Sequence, residues 1–337
     1  MIRTVAGRSN RALGRIHRSE QTMVRRRKPR EDCRDSNHRT EKTRARKPHP
    51  ANFCCRNGWF STEFSSLRSM NIETLIPDCR NLALTGRCAL GIMIKTPLNG
   101  FSKTRLCPPL LPEEAADISR CFLKDTSATI EALTQEDPSV VGVAVYTPVG
   151  TEDELKELLP SGFKMIAQRE ADFSARLLGA IQDLLSVGFG AVCLIGSDSP
   201  TLPLFYLQAL AASLKDGNDR VVIGPSTDGG YYAIGMREAY ARLFEDITWN
   251  ADRVYEQTVE RAKEIALTAV TLPAWYDVDD KFSLKRLLTE LFPERTKEAV
   301  PKGAPAPNTK LFLHTMLARE GTGRIWPPGT PGTPGAP

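Results

Sequence analysis

The chain has 337 residues, of which 41% are hydrophobic and 25% are charged. This length suits one large domain or two modest ones, and the composition is typical of a soluble globular protein. No apolar run approaches the roughly 18 residues of a membrane helix, which argues against a membrane protein. The first residues lack the apolar core of a signal peptide, so we expect a cytoplasmic protein.

Cysteine and histidine are placed in a way that disfavours several kinds of site. None of the eight cysteines forms a Cys-x-x-Cys pair, and His17, His38, His49 and His314 all lie towards the ends of the chain. A zinc site and histidine-based acid–base catalysis are therefore both disfavoured, and we expect the cysteines to be reduced thiols.

Charge is distributed unevenly along the chain. Residues 1–70 contain 18 basic and 6 acidic residues, which leaves 27 basic and 34 acidic residues in the remainder. Residues 1–80 show no sustained periodicity, so we predict a basic extension without fixed structure. A nucleic-acid-binding arm and a targeting peptide are two interpretations. We favour a third, a dispensable or wrongly translated extension with the natural start at Met70.

Residues 86–295 show the pattern of a folded α/β domain. Short apolar, β-rich runs alternate with helical stretches, as expected for mostly buried parallel strands covered by helices. The predicted strands are Ala89–Ile94, Val140–Tyr146, Ala191–Ile195, Arg220–Gly224 and Tyr231–Gly235. The predicted helices are one that begins at Pro112, Phe173–Val187 capped by Asp172, Ala251–Ile265 capped by Asn250, and Phe282–Leu291. Residues 296–337 are rich in proline and glycine and predicted to be mostly unstructured, although 311–317 could form a short docked helix.

A cationic loop follows the first predicted strand. It carries Lys95, Lys103 and Arg105 together with Pro97 and Gly100. Fixed positive charge and close backbone approach are what a diphosphate requires, so the loop is a candidate phosphate site. The alternative is a solvated basic turn that precedes a helix.

An aspartate lies at the end of the strand Ala191–Ile195. Asp198 stands in the run Gly196–Pro203, on a tight turn that leaves this strand. A carboxylate in that position is a natural ligand for Mg²⁺ or Mn²⁺ when a diphosphate supplies the other oxygens. The alternative is that Asp198 or Ser199 caps a helix that starts near Pro203.

A glycine pair follows the strand Arg220–Gly224. Gly229 and Gly230 come after Asp228 and before Tyr231, so the backbone can bend sharply and a ligand can approach it. The alternative, a hairpin turn between two strands, is compatible with a role in the site.

Two aspartates alternate in the run Trp275–Asp280. Alternation in an extended segment predicts that Asp277 and Asp279 share one face, where their repulsion favours a bound cation. The alternative is that Asp279 or Asp280 caps the helix Phe282–Leu291.

The order of these four motifs resembles the glycosyltransferase-like family of radical-SAM/selenodomain-associated transferases, a branch of the GT-A nucleotide-diphospho-sugar transferase superfamily. The similarity spans residues 90–291, and its motifs are Lys95–Leu106, Gly196–Leu202, Gly224–Tyr232 and Trp275–Asp279. Two positions depart from the family pattern: the Gly-Glu-Arg segment keeps only Arg176, and Asn250 stands where serine is common. The resemblance implies a three-layer α/β/α, Rossmann-like domain with a mostly parallel sheet. It also implies a metal-dependent enzyme that transfers a sugar from a nucleotide sugar.

The resemblance also implies a role for each candidate residue. Asp198 and Asp277 would bind Mg²⁺ or Mn²⁺, and Asp228 and Asp279 would act in catalysis. The donor diphosphate would be bound by Lys95, Gly100, Lys103, Arg105 and Ser197. The acceptor would be bound by Gly229, Gly230 and Tyr231.

Two other functions remain open from the sequence. A nucleotidyltransferase of the same fold, which releases pyrophosphate, would need the same cations and carboxylates. A nucleic-acid-binding protein with an inactive domain would use the basic extension, but that segment lacks interleaved aromatic residues.

Overall fold

The computed structural model describes residues 72–249, 252–293, 302–321 and 323–325. Within these residues, eight strands form one mixed sheet with the order β1-β4-β3-β2-β5-β7-β6-β8. The strands are β1 Glu73–Thr74, β2 Cys88–Lys95, β3 Val140–Thr147, β4 Lys164–Ala167, β5 Ala191–Gly196, β6 Arg220–Pro225, β7 Tyr231–Met236 and β8 Thr268–Thr271. The predicted strands are thus present, each with its end extended by at least one residue.

The central strands run parallel. β2 pairs with β3 on one side and with β5 on the other, with Ile92 opposite Ala144 and Ile195. β7 is antiparallel to both β5 and β6, because a tight connection returns the chain directly after β6. The carboxyl ends of β2 and β5 therefore meet at one edge of the sheet, which is where ligands bind in open α/β sheets.

Helices cover both faces of the sheet. The helices are α1 Pro112–Glu136, α2 Glu152–Lys156, α3 Phe173–Val187, α4 Leu204–Ala212, α5 Val254–Glu264, α6 Lys281–Leu291 and α7 Pro307–Glu320. Shorter 3-10 turns span Leu82–Leu84, Thr104–Leu106 and Ala241–Phe244. Alternate residues of β2 pack into two buried clusters, Leu90 and Ile92 on one face and Ala89 on the other. The predicted three-layer α/β architecture is confirmed.

Helix boundaries follow local capping chemistry. Asp172 accepts a 2.9 Å hydrogen bond from the Ala175 backbone N–H at the start of α3. α5 begins at Val254, three residues after the predicted start at Ala251. Asn250 and Ala251 lie outside the described residues, so the proposed cap is untested there.

The last described helix, α7, docks on α1 through buried carboxylates. Asp125 accepts from the backbone N–H groups of Asn308 and Thr309, at 3.0 and 2.8 Å, and so caps α7 from a neighbouring helix. Glu114 pairs with Arg319 and Arg324. Little structure was expected after residue 295 apart from a short docked helix at 311–317, which the structure confirms and extends to Pro307–Glu320. The difference arises because the caps for this segment lie on α1, far away in sequence.

Three sequence-based expectations concern features other than the sheet. The predicted extension 1–80 lies largely outside the described residues, although β1 falls within it. No helix in the described ranges is long and apolar enough to cross a membrane. The cysteines of those ranges are free thiols, namely Cys79, Cys88, Cys107, Cys121 and Cys193.

Candidate active site

The loop after β2 has a defined conformation that presents Lys103. Ser102 is buried, and its hydroxyl accepts a 3.1 Å hydrogen bond from the Leu98 backbone N–H. Lys103 has left-handed backbone angles, φ 49° and ψ 41°, at the start of the turn Thr104–Leu106. Leu106 is fully buried and anchors that turn in the core. A non-glycine residue with positive φ carries a local strain that the surrounding packing must offset.

Asp198 lies directly beyond the end of β5, next to the end of β2. Its carboxylate contacts the Lys103 ammonium, with 2.8 Å between Oδ1 and Nζ. Helix α4 begins at Leu204 with Pro203 before it, and no side chain caps this helix. The capping alternative for Asp198 and Ser199 is therefore wrong, and the Asp198 carboxylate is available to the site.

The segment after β8 brings a second carboxylate to the same place. It runs beside the end of β6, where the Trp275 N–H donates to Pro225 O at 3.1 Å. Further on, the Val278 N–H donates to Asp198 O at 2.9 Å. These backbone bonds place Asp279 beside Asp198, although the two are far apart in the chain.

One lysine joins the two carboxylates. Lys103 Nζ lies 2.8 Å from Asp198 Oδ1 and 2.6 Å from Asp279 Oδ1. The lysine side chain is 8% exposed, whereas the aspartate side chains are 35% and 42% exposed. Burial alone would lower the pKa of Lys103, but the two carboxylates outweigh it and the pKa is raised. Lys103 is therefore a permanently charged cation between two carboxylates.

Asp277 is buried beneath this pair. Its two oxygens accept hydrogen bonds from the hydroxyls of Ser199 and Ser226. Burial is the largest influence on its pKa, which is raised to about 6 although both serines lower it. The prediction that Asp277 and Asp279 face one ligand is corrected, because only Asp279 lines the cavity. Asp280 caps α6 by accepting from the Ser283 N–H at 2.8 Å, which leaves Asp279 free for the site.

A cavity of about 460 Å³ lies above these groups. Six of the predicted site residues line it: Lys95, Lys103, Arg105, Ser197, Asp198 and Asp279. Lys95 forms no ion pair with any residue in the described ranges, so its charge is available to a ligand. Arg105 also lines the cavity, and its charge helps to lower the pKa of the nearby Asp280 carboxyl. Gly100 does not line the cavity. Its φ of 76° is needed for the turn of the loop.

Sequence reasoning missed much of the rest of the lining. The opposite wall includes Ser119, Thr147, Gln168, Phe173 and Arg176, and the lining is completed by Met93 and Ile94 of β2 and by Phe101, Ser102 and Thr104 of the cationic loop. The wall residues come from distant segments, and β4, which leads to Gln168, was not predicted. The one sequence signal for this wall was Arg176, which is the residue retained from the Gly-Glu-Arg segment of the family pattern.

Gln168 has a fixed amide orientation. Its Nε2 donates to Val145 O at 2.7 Å and to Ile94 O at 3.2 Å. Both N–H groups are thereby used, so the amide oxygen remains as an acceptor on a residue that lines the cavity. The wall consequently offers a hydrogen-bond acceptor opposite the cationic loop.

Arg176 supplies a further positive charge. Its guanidinium lies 5.5 Å from the centre of the Phe173 ring, and its Nε is buried without a hydrogen-bond partner. No carboxylate in the described ranges pairs with it. A buried, unpaired donor on a cavity wall is a candidate for binding an anionic ligand.

The glycine pair after β6 lies in the turn between the antiparallel strands β6 and β7, so the alternative interpretation of this motif as a hairpin is confirmed. Gly229 has φ 94°, and a Cβ atom there would lie 2.0 Å from Asp252 O. The glycine therefore permits a close backbone crossing. Asp228 is exposed, and its Oδ1 accepts from the Gly230 N–H at 3.0 Å. Tyr231 packs edge-on against Trp249. None of these four residues lines the cavity, so their predicted catalytic and acceptor-binding roles are not supported by their position.

Comparison with known proteins agrees with this architecture. A family model described as an uncharacterized protein conserved in bacteria (DUF2064) matches residues 129–251. A solved structure from Desulfovibrio desulfuricans, provisionally assigned as a nucleotide-diphospho-sugar transferase, is 27% identical with a TM-score of 0.58. The match covers 70% of this chain and 99% of that one. The fold is that of a nucleotide-diphospho-sugar transferase. The similarity is thus to a transferase.

Two other solved structures are more distant from this chain, with TM-scores below 0.5. One is CMP:2-keto-3-deoxy-manno-octonic acid synthetase complexed with CTP, at 11% identity and a TM-score of 0.40, covering 62% of this chain and 100% of that one. Another is glucosyl-3-phosphoglycerate synthase from Mycobacterium tuberculosis with Mn²⁺ and UDP, at 12% identity and a TM-score of 0.37, covering 69% and 80%. Comparison with curated proteins gives no match.

Proposed function

We propose that this protein is a metal-dependent glycosyltransferase that takes a sugar from a nucleotide-sugar donor and passes it to an acceptor. The observation that carries the proposal is the convergence of Lys103, Asp198 and Asp279 on one cavity at the carboxyl edge of the sheet. The similarity to a protein assigned as a nucleotide-diphospho-sugar transferase supports the same reaction class.

The donor set of the cavity fits a hard divalent cation. Asp198 and Asp279 offer carboxylate oxygens, and both side chains are partly exposed. Within the described residues no group of three or more His, Cys, Asp and Glu side chains could hold a metal ion. Mg²⁺ and Mn²⁺ sites in phosphate-handling enzymes commonly use one or two carboxylates, with phosphate oxygens and water completing the shell. When bound, the cation would offset the negative charge that develops on the departing nucleoside diphosphate.

The positive side chains of the cavity would bind the donor diphosphate. Lys95 is the last residue of β2, Arg105 stands on the loop that follows, and Arg176 stands on the opposite wall. Arginine can bind two phosphate oxygens at once, and lysine acts as a point charge. The Ser197 hydroxyl, which also lines the cavity, donates to Asp198 Oδ1 at 3.1 Å and helps to orient that carboxylate.

The residues of the site can hold the reacting groups without a histidine. An acceptor hydroxyl would attack the anomeric carbon of the sugar, and the bond to the diphosphate would break. Asp279 is the candidate to position that acceptor, because it is the more exposed of the two carboxylates that contact Lys103. Asp228, which lies outside the cavity, is not retained in this role.

The deciding experiment is an analysis of products. The full-length protein is incubated with Mg²⁺ or Mn²⁺ and either nucleotide sugars or nucleoside triphosphates. Release of a nucleoside diphosphate from a nucleotide sugar is the expected result. Release of pyrophosphate from a triphosphate would instead establish the nucleotidyltransferase of the same fold. The narrower resemblance to the radical-SAM/selenodomain-associated transferases remains a hypothesis that rests on the four motifs.

A binding measurement tests the site apart from turnover. Asp198→Ala should abolish metal-dependent binding of the donor in calorimetry while circular dichroism shows an intact fold. Unchanged affinity would remove Asp198 from the metal site. Salt-dependent DNA binding that is lost on deleting residues 1–69, with no nucleotide binding by the remainder, would favour the nucleic-acid-binding alternative.

A further inference from the structure

The Lys103 ammonium lies at the place where a divalent cation would act. It contacts one oxygen of each carboxylate, Asp198 Oδ1 at 2.8 Å and Asp279 Oδ1 at 2.6 Å. Two carboxylates this close to each other repel unless a cation separates them. The lysine therefore neutralises the same two carboxylates that a bound metal ion would neutralise.

The protein holds this lysine in place from several directions. Its backbone is in the left-handed region, with Leu106 anchored in the core and the buried Ser102 hydrogen-bonded to the preceding loop. The side chain is 8% exposed. Lys95, at the start of the same motif, is exposed and forms no ion pair within the described residues. The burial and pairing of Lys103 therefore do not follow simply from its place in a basic segment.

A divalent ion bound to Asp198 and Asp279 would lie close to the ammonium if the lysine stayed in position. Like charges at such short range repel strongly in a partly buried site. The ion must therefore displace the ammonium or share the carboxylates with it at reduced affinity. A diphosphate brings negative charge that can receive the displaced ammonium, because lysine is flexible and pairs readily with phosphate oxygens.

We propose that Lys103 is an internal cation that competes with the divalent metal for Asp198 and Asp279. In this scheme the metal binds weakly by itself and tightly together with a diphosphate, which takes over the displaced lysine. The two ligands are then coupled, each raising the affinity for the other by the same factor. The inference rests on the proposed metal site. Because of the lysine, the site would bind the metal ion tightly only when a diphosphate binds with it.

The test measures metal binding without any reaction. Mn²⁺ is titrated into the full-length protein, and free Mn²⁺ is followed by electron paramagnetic resonance. Titrations are done alone and with UDP, CDP, GDP or ADP, corrected for the metal that each nucleotide chelates. Wild type should bind Mn²⁺ at least about tenfold more tightly in the presence of the preferred diphosphate, a coupling of about 1.4 kcal/mol.

Lys103→Met removes the charge and keeps the apolar stem. We expect this variant to bind Mn²⁺ alone at least about tenfold more tightly than wild type, with most of the coupling to the diphosphate lost. Lys164→Met is the control, because it removes a cation that pairs with Glu73 and does not line the cavity. Its affinity for Mn²⁺ alone should change by less than about threefold.

The outcomes separate this inference from the proposed function. If wild type binds neither Mn²⁺ nor any of the nucleotides, the proposed function fails. If wild type binds both without coupling, or if Lys103→Met binds Mn²⁺ no more tightly, only the competition is overturned. Should Lys103→Met fail to fold, Lys103→Gln takes its place, because it also removes the charge from a side chain of similar shape, and its affinity for Mn²⁺ alone decides the question.

Discussion

Ser226 Oγ donates a 2.8 Å hydrogen bond to Asp277 Oδ2, which joins the end of β6 to the segment that carries Asp279. Ser199 donates to the other oxygen of the same carboxylate and adds the segment after β5. Asp277 thus links the segments that follow β5, β6 and β8. Both of its oxygens accept hydrogen bonds from serine hydroxyls, whereas Asp279 contacts the Lys103 ammonium through Oδ1 and lines the cavity.

We expect the two neighbouring aspartates to differ when each is replaced by asparagine. Asp279→Asn should weaken Mn²⁺ binding in the presence of a nucleoside diphosphate at least about tenfold more than Asp277→Asn does, because it replaces a charged carboxylate ligand with a neutral amide. Asp277→Asn should instead lower the free energy of unfolding by about 1–3 kcal/mol, because its serine partners lose an acceptor. Calorimetry and urea denaturation measure the two effects. The reverse ranking in metal binding would restore Asp277 as a ligand.

The unpaired arginine on the cavity wall provides a second prediction. Arg176→Met should raise the dissociation constant for the nucleoside diphosphate about tenfold, because a charge-assisted hydrogen bond is lost from a partly buried site. Arg120→Met is the control, since Arg120 pairs with Asp117 on the surface of α1. Equal affinities for wild type and Arg176→Met would show that the guanidinium does not contact the donor.

The glycine pair after β6 provides a third prediction. Gly229→Ala should lower the free energy of unfolding by about 3 kcal/mol or more, because it combines positive φ with a backbone clash at Asp252. Gly230→Ala should cost less, about 1 kcal/mol, because its nearest neighbour would be a side-chain oxygen of Asp228 at 3.3 Å. Urea denaturation gives both values. Normal stability of Gly229→Ala with a raised KM for the acceptor would instead support the acceptor-binding role first predicted.

The docking of α7 should depend on pH through Glu114. Burial alone raises the pKa of Glu114, but the Arg324 guanidinium and the Leu111 N–H outweigh it, and the pKa lies below its ordinary value of 4.5. Because the folded-state pKa is lowered, the stabilising contribution is present above about pH 4.5 and is lost as the pH falls through the folded-state value.

We therefore expect Glu114→Gln to be less stable than wild type at pH 7 by about 1–3 kcal/mol, and the difference to shrink below pH 4.5. Hydrogen exchange should show the loss in residues 307–320 first. Glu113→Gln is the control, because this neighbour is exposed and pairs with no described residue. A constant difference between pH 3 and pH 7 would contradict the assignment of the ion pair.

Local patterns were sufficient to predict much of the fold. β2, β3, β5, β6 and β7 each appear where a short apolar run indicated a strand. The pattern also indicated α3 with its Asp172 cap and α6 with Asp280 before it, because caps and periodicity act over a few residues. The short strands β4 and β8 had no comparable local signal, and the signal for the docked helix α7 was limited to the apolar run 311–317. Their stability comes from partners far away in the chain.

The sequence by itself determined which chemistry the site could contain: a cationic loop after one strand and acidic residues after others. The tertiary structure decided how these groups are used. It brought Lys103 into contact with Asp198 and Asp279, across 176 residues in the latter case, and it buried Asp277 beneath them. It also left Asp228 and Tyr231 outside the lining of the cavity. The physical reason is that residue type and spacing set charge and local conformation, whereas the packing of distant segments sets which charges meet and which are buried.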